Sequence, residues 1–567
     1  MKKMQQLLPW IIFVAALMYA SQGFIRPERI ESQFDLDSFR GIPVSAGGRT
    51  KPIDTVARNS LMNLSGRQSI KTDDGEMSAI EWYLELVTNP EESIKRRVFR
   101  IDHPDVLTLA GLDDEKRIRF SFAEIFPAGN EINRQAMLAS EIKAKARDPF
   151  QRAVLVLGQK LMLYSSLQQL QDPYLVPPLR VGDDWRSFVT VLDEDPRDPD
   201  ALALLHILQR YRADDPQAFN EGLTVFFDLI DTQIPYDARK ARYEVTYNQV
   251  RPFYTASVLY VGAFLIGCFG LLLSQLAKPD ISKTLLGIMT SLILAAFVIQ
   301  TVGLASRVYL QGRPPITNLY SSAVFVGWFG VILGLIIDRQ MKLGLGGIMA
   351  SAIGFGTLII AHNLGNSGDT MEMMQAVLDT NFWLATHVIV ITIGYSATFF
   401  AGFLGIAYVL LGVFTPVLDH ERGKTLVKMV YGVICFSTLM SFAGTVLGGI
   451  WADQSWGRFW GWDAKENGAA LLVLMNLLIL HARWGGMIRD RGLIVLAISC
   501  NIVTAWSWFG TNMLGVGLHS YGFMQSAVFW IVVFVISQLV LMGIGMLPMK
   551  LWRSQFARVP ASSNPPI

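Results

Sequence analysis

The chain has 567 residues, 51% of them hydrophobic and 17% charged, with a mean hydropathy of +0.34. That composition excludes an ordinary soluble enzyme of this size and points to a polytopic membrane protein. A formal net charge of +2 gives no bulk attraction to nucleic acid, and none is expected as a partner.

In chain order, ten segments approach the roughly 20 apolar residues that a spanning helix requires. They are about 9–25, 253–276, 283–305, 317–337, 343–361, 383–411, 426–449, 467–484, 493–514 and 525–548. The sequence therefore predicts an all-α polytopic membrane protein of about ten transmembrane helices, one N-terminal and nine in a C-terminal bundle. The expected domains are a membrane anchor at 1–25, an exported domain at 26–250, a nine-helix membrane domain at 251–550 and a cytoplasmic tail at 551–567. Lys2 and Lys3 also suit a cleaved signal peptide, but Met18-Tyr19-Ala20 makes a poor cleavage site, so an uncleaved anchor is favoured.

Lys and Arg set the expected orientation. With the N-terminus inside, about fifteen cations, from Lys2 and Lys3 to Lys550, Arg553 and Arg558, fall at cytoplasmic ends. The opposite short loops carry only Arg307, Arg313, Arg458 and Lys465. Both termini are expected inside a bacterial inner membrane. The 26–250 domain and the loops at 362–382, 451–466 and 515–523 then face the periplasm.

The 26–250 region is long enough for its own core and reads as mixed but mainly helical. "KPIDTVARNSLMNLSG" (51–66) predicts a turn, an Asp54 cap, an amphipathic helix and a stop at Gly66. Helical periodicity runs from Arg147 to Leu170 and from Asp198 to Arg212, with Asp198 as a cap and Pro199 at the first helical position. His103 and His206 read as ordinary surface or core residues. Cys268, Cys435 and Cys500 lie far apart in apolar runs and read as small buried hydrophobes. Without a C-x-x-C the chain has no dithiol redox motif of its own.

"WADQSWGRFWGWDAKENGA" (451–469) is the most unusual stretch. It sets Trp451, Trp456, Trp460 and Trp462 among Asp453, Arg458, Asp463, Lys465 and Glu466, between two apolar runs. His387, in "NFWLATHVIV", lies about one turn inside the outer end of its span, and His519, in "GVGLHSYGF", lies in an outer loop without charge. Both are expected at the depth of the tryptophan loop. Ionisable groups in spans are costly and usually functional, and two facing neutral imidazoles supply both axial ligands of a haem iron. The four indoles offer flat apolar faces and N–H groups. Arg458 and Lys465 each suit a propionate. Blander readings stand beside this one. An interfacial belt also explains the tryptophans, and His481 beside Arg483, near the cytoplasmic end of its span, also reads as a snorkelling pair. Asp453, Asp463 and Glu466 suit capping of the next helix, and Trp506 and Trp508 read as packing.

These residues resemble the cytochrome c assembly proteins of the haem-handling superfamily, with their tryptophan-rich WWD signature. The likeness is to the CcsA/ResC-type subunit of the System II cytochrome c synthase. "WGRFWGWDAKE" (456–466) follows the family pattern W-G-x-[FY]-W-x-W-D-P-K-E, and His387, His519 and His481 match the family's histidine positions. "RVYLQGRPPITNLYSSAVFVGW" (307–328) and "GRTKPIDTVARNSL" (48–61) also look like family segments. Ala464 replaces the usual proline, and Asn467-Gly468 replaces Thr-Trp. The likeness covers about 250–548, with only the short piece at 48–61 before it.

The resemblance implies a subunit of a holocytochrome c synthase, or haem lyase, with haem b as cargo. His387 and His519 would be the axial ligands of an external haem held by Trp451, Trp456, Trp460, Trp462, Asp463, Arg458 and Lys465. His481 would belong to an internal haem site. That site is incomplete here, which implies a CcsB/ResB-like membrane partner that supplies the missing ligand. The client would be an apocytochrome c with a CXXCH motif, kept reduced by thioredoxin-like thiol reductants. Three alternatives stay open: a System I-type haem delivery subunit, a quinol-oxidising haem electron-transfer subunit, and a transporter or scaffold with a tryptophan belt.

Overall fold

The structure, a computed structural model, describes residues 2–25, 30–72, 75–112, 116–144, 146–180, 182–275, 279–341, 344–365, 368–374, 378–514 and 525–554. It is 76% helical. Two compact units divide the chain: one holds Ser21–Arg251 and Asn363–Met373, the other Met1–Ala20, Pro252–His362 and Met374–Ile567.

In the second unit, nine helices among the described residues are long and apolar enough to cross a membrane, and Leu7–Gly23 is a shorter apolar stretch. The helices are α1 (Lys2–Ile25), α2 (Pro252–Gln275), α3 (Pro279–Gln311), α4 (Leu319–Met341) and α5 (Leu345–Leu364). They continue with α6 (Asn381–Phe414), α7 (His420–Trp456), α8 (Ala464–Trp484), α9 (Asp490–Met513) and α10 (Gln525–Gly545). Each expected span has its helix, and the all-α polytopic class is observed. Hydrophobic length alone accounts for this, because a backbone in lipid must satisfy its own N–H and C=O groups.

Buried polar side chains join neighbouring helices, as small and polar residues do where lipid offers no competing water. Tyr260 donates to Gln300 Oε1 at 2.8 Å, and Gln300 Nε2 donates to Val324 O at 3.0 Å, linking α2, α3 and α4. Asn476 Nδ2 donates to Ser437 Oγ at 3.1 Å between α8 and α7, and Asn501 Nδ2 to Gln538 Oε1 at 2.9 Å between α9 and α10. Of the cysteines, Cys500 is buried and Cys435 half-buried, but Cys268 is exposed on α2. Its run is apolar because it is a span, and that does not bury every side of the helix.

Two spans carry a local π-turn: Leu384–Val388 in α6 and Trp506–Gly510 in α9. Such one-residue insertions are uncommon and concentrate at functional sites.

The other unit is a helical domain with, among the described residues, three two-stranded antiparallel ladders, the third of them joined across a helix. β1 (Pro43–Ala46) pairs with β2 (Arg49–Pro52), β3 (Ser69–Thr72) with β4 (Gly75–Ser78), and β5 (Phe99–Arg100) with β6 (Arg119–Phe120). Large buried aromatics, among them Trp82, Tyr164, Phe99 and Phe219, fill its core. Asp148 caps a helix over Pro149–Gln168, and Asp198 caps Pro199–Arg212 by accepting from Asp200 and Ala201 N–H, as its sequence suggests. Gly66 ends the Ile53–Ser65 helix with φ at 71°. Asp54 is not that helix's cap. Pro52 holds the cap position without a side-chain bond, and Asp54, one residue into the helix, binds Arg58 Nε at 2.8 Å instead. The preceding β-hairpin delivers the chain to the helix two residues earlier than an Asp54 cap would.

Polar residues of "GRTKPIDT" meet in one buried cluster. Arg49 makes two bonds to Glu244, at 2.7 and 2.9 Å, and reaches Asp369 Oδ2 at 3.0 Å. Lys51 Nζ also reaches Asp369 Oδ2, at 2.7 Å, and Thr55 Oγ1 donates to Glu244 at 2.8 Å. Burial opposes ionisation of Asp369, but Arg49 and Lys51 outweigh it and hold the carboxyl down at about 2.

Candidate functional site: an aromatic cavity with a histidine wall

A cavity of about 210 Å³ opens in the membrane unit. Its lining includes His387 from the first π-turn, Trp451 and Trp456 from the end of α7, and Trp460 from the connecting loop. Lys465 and Glu466 from the start of α8 and Trp508 from the second π-turn also line it, with Ser322 from α4. The sequence thus brings four distant stretches to one place.

His387 is half-buried, and its Nδ1 lies 2.8 Å from Gly444 O. A carbonyl only accepts, so Nδ1 is the donor, and in the neutral ring Nε2 then carries the lone pair. That is the arrangement in which histidine ligates a metal, the other nitrogen donating to a carbonyl. The ring stands edge-on to Trp451, with centroids 5.7 Å apart. Trp451 in turn stacks on Trp383 at 6.4 Å, and Trp383 Nε1 donates to Gln454 Oε1 at 3.1 Å. Trp451 Nε1 is buried without a hydrogen-bond partner among the described residues. The close approach of α6 to α7 depends on Gly448, where a methyl group would stand 2.6 Å from His387 Cε1.

The loop after α7 is built by capping. Gly457, with φ at 67°, ends α7. Asp463 caps α8 by accepting from Lys465 N–H at 2.7 Å, while Glu466 accepts from Asp463 N–H at 3.1 Å and Gly461 N–H at 2.8 Å. The acidic residues therefore shape the loop, and Asp463 acts there as a cap. Trp462 has φ at 58°, is 78% exposed, and its carbonyl accepts from Asn467 Nδ2 at 3.1 Å. Trp462, Asp463 and Arg458 are not among the lining residues, whereas Trp451, Trp456, Trp460 and Lys465 are. Lys465 does not point its ammonium only at open space: Nζ donates to Trp508 O at 2.6 Å and reaches Ser507 O at 3.3 Å.

His481 lies away from the cavity, exposed on α8, with Nδ1 2.8 Å from Leu477 O. His519 lies outside the described residues. Sequence reading missed Trp508, Trp383, Ser322 and Gly448. Nothing in a single chain marks which indole of an apolar helix faces inward, and a π-turn shifts the helical phase by a residue.

A cavity of this volume is below the roughly 300–1,000 Å³ of pockets that enclose a whole small ligand. It admits one edge or face of a flat macrocycle. The aromatic lining and the orientation of His387 suit a metalloporphyrin.

By fold and site, this is a polytopic helical membrane protein with an aromatic, histidine-walled cavity. Residues 316–519 match the family of the cytochrome C assembly protein, and this range contains the whole lining. The chain is 29% identical over 303 residues to the cytochrome c biogenesis protein CcsA of Parasynechococcus marenigrum, covering 48% of this chain and 98% of that one. It is 27% identical over 300 residues to CcsA of Synechococcus sp., again covering 98% of that protein. A longer match, 26% identical over 542 residues, is to Protein NrfI of Wolinella succinogenes; it takes in 90% of this chain, which spans only 57% of that relative. Over residues 316–519 the chain is similar to the cytochrome c assembly proteins, and its likeness to CcsA takes in about half of it, 48%. The NrfI match also extends the likeness into the region before 250, well beyond the short piece at 48–61.

Proposed function

We propose that the chain works in cytochrome c biogenesis by holding haem b in the aromatic cavity and presenting it for covalent attachment. The observation that carries this is His387, whose Nδ1–H bond to Gly444 O leaves Nε2 as the ligating atom on a cavity wall shared with Trp451, Trp456 and Trp460. His519, outside the described residues, is the proposed second axial ligand. Arg458 is the candidate partner of a haem carboxylate.

In this reading the membrane is a bacterial inner membrane with both termini inside. The cavity faces the periplasm, and haem reaches it from the cytoplasmic side, where a CcsB/ResB-like subunit completes an internal site around His481. An apocytochrome c then brings its reduced CXXCH segment to the vinyl edge. Each thiol adds across a vinyl group: an S–C bond forms, the C=C π bond is lost, and the thiol proton goes to the second vinyl carbon. No electrons are exchanged in that addition, so the chain needs no redox pair. Separate thioredoxin-like reductants keep the client thiols free. The protein's part is to orient the haem and control its iron. Full-length protein purified from a haem-producing host tests this. The wild type is expected to carry low-spin haem, and His387→Ala and His519→Ala to lose it or become high-spin. Unchanged haem content and spectrum in both variants would sink the ligand assignment.

A further inference from the structure

We infer that Lys465 is a positioning residue that fixes Trp508 as a tetrapyrrole-contacting wall of the cavity, rather than the partner of a haem carboxylate; this rests on the haem reading above. The argument starts in α9. A π-turn inserts a residue and disturbs the usual pairing of nearby carbonyls with amides one turn on. In a membrane those carbonyls need donors from the protein.

Here side chains supply them. Trp508 O accepts from Lys465 Nζ at 2.6 Å and from Asn512 Nδ2 at 3.0 Å. Ser507 O accepts from Thr511 Oγ1 at 2.8 Å, with Lys465 Nζ at 3.3 Å. Two of the three ammonium donors are thus directed at backbone. Lys465 sits in the first turn of α8, where the helix dipole disfavours a cation. What the ammonium ties down accounts for its presence there.

Gly468 lets α8 come close enough. A methyl group on it would stand 3.0 Å from Ser507 Cα, and Gly468 O accepts from Ser507 Oγ at 2.6 Å. The tie fixes Trp508 at its backbone, while Nε1 donates to Ser322 Oγ of α4 at 3.0 Å and fixes the ring. The indole is 5% exposed and lines the cavity with His387 and Trp451. A flat face locked at both ends suits stacking on a macrocycle.

The test titrates haem-free, full-length protein in detergent with haem and with haem dimethyl ester, which lacks free carboxylates. Lys465→Met is expected to weaken both by the same factor, about tenfold, or 1.4 kcal/mol. Amide exchange across 506–512 should rise without any porphyrin, and Lys465→Arg should restore both readouts. Trp508→Phe should bind both compounds nearly as the wild type does, and Trp508→Ala should not. Weakening of haem alone assigns Lys465 to a carboxylate and overturns the inference. So does a Lys465→Met protein that binds both compounds as the wild type does. Should Lys465→Met fail to fold, Lys465→Gln is titrated instead: equal weakening of both compounds supports the tie, and weakening of haem alone or of neither overturns it. A wild type that binds neither compound overturns the haem reading, and this inference with it.

Discussion

Gly448 and His387 are packed so closely that one added methyl group would stand 2.6 Å from the imidazole Cε1. Gly448→Ala must therefore move the ring, the helix or both, at about 1–3 kcal/mol. Displacement would break the bond from Nδ1 to Gly444 O and re-aim Nε2. We expect lower haem content and a changed spectrum. Gly432→Ala, on the same helix with open space around it, should be neutral or slightly stabilising. Thermal melting and haem content of the two variants provide the comparison; equal behaviour would show that the contact is not a constraint.

Glu466 accepts two backbone N–H groups, those of Gly461 and Asp463. Glu466→Ala leaves both without an acceptor and removes half of the capping box, at roughly 1–2 kcal/mol. The expected result is a lower melting temperature, with the Trp460 loop loosened. Glu466→Gln retains an acceptor and should lose less. Loss of haem with unchanged melting would instead assign Glu466 to the cargo.

The Asp369 cluster predicts a pH dependence with a definite sign. Its carboxyl is held at about 2 against an ordinary value of 3.8. A depressed acid contributes stability that is fully present above the unfolded value and fades as pH falls toward the folded one. The window is thus pH 4 down to 2, and the contribution above it is on the order of 2 kcal/mol. Asp369→Asn should destabilise the chain at neutral pH and flatten that acid limb. Melting curves between pH 7 and 2.5 check it. An unchanged acid limb in the variant would mean that Arg49 and Lys51 gain nothing from this partner.

The spans were legible because length and hydropathy alone decide them: segment 467–484 and helix Ala464–Trp484 differ by only three residues at one end. The site was legible in part. Trp451, Trp456, Trp460 and His387 reach one cavity, as their shared depth suggested, and Asp463 and Glu466 cap, as their place before an apolar run suggested. What a single chain does not reveal is phase. A π-turn adds one residue to an otherwise regular helix, so Trp508 turns inward with no change in periodicity to mark it. As one of the two cations of its loop, Lys465 suits a carboxylate on sequence alone. Its reach to Trp508 O depends on two helices packing across Gly468, a long-range contact that local sequence does not encode.

His481 does not line the cavity. It is exposed on α8, and Leu471, Leu474 and Leu478 on the same face are also exposed. Residues three and four apart share a helix face, so this is one apolar stripe ending in an imidazole. Its Nδ1 lies 2.8 Å from Leu477 O, which makes Nε2 the nitrogen left for a ligand at the proposed internal site. His481→Ala should therefore leave the haem content and spectrum of the chain purified alone unchanged. When a CcsB/ResB-like subunit is co-expressed, the same variant should lose one haem per complex. Haem-to-protein ratios for the two preparations decide the matter. A loss already visible in the chain alone would place His481 in the cavity's own chemistry, through a route that the geometry of α8 does not provide.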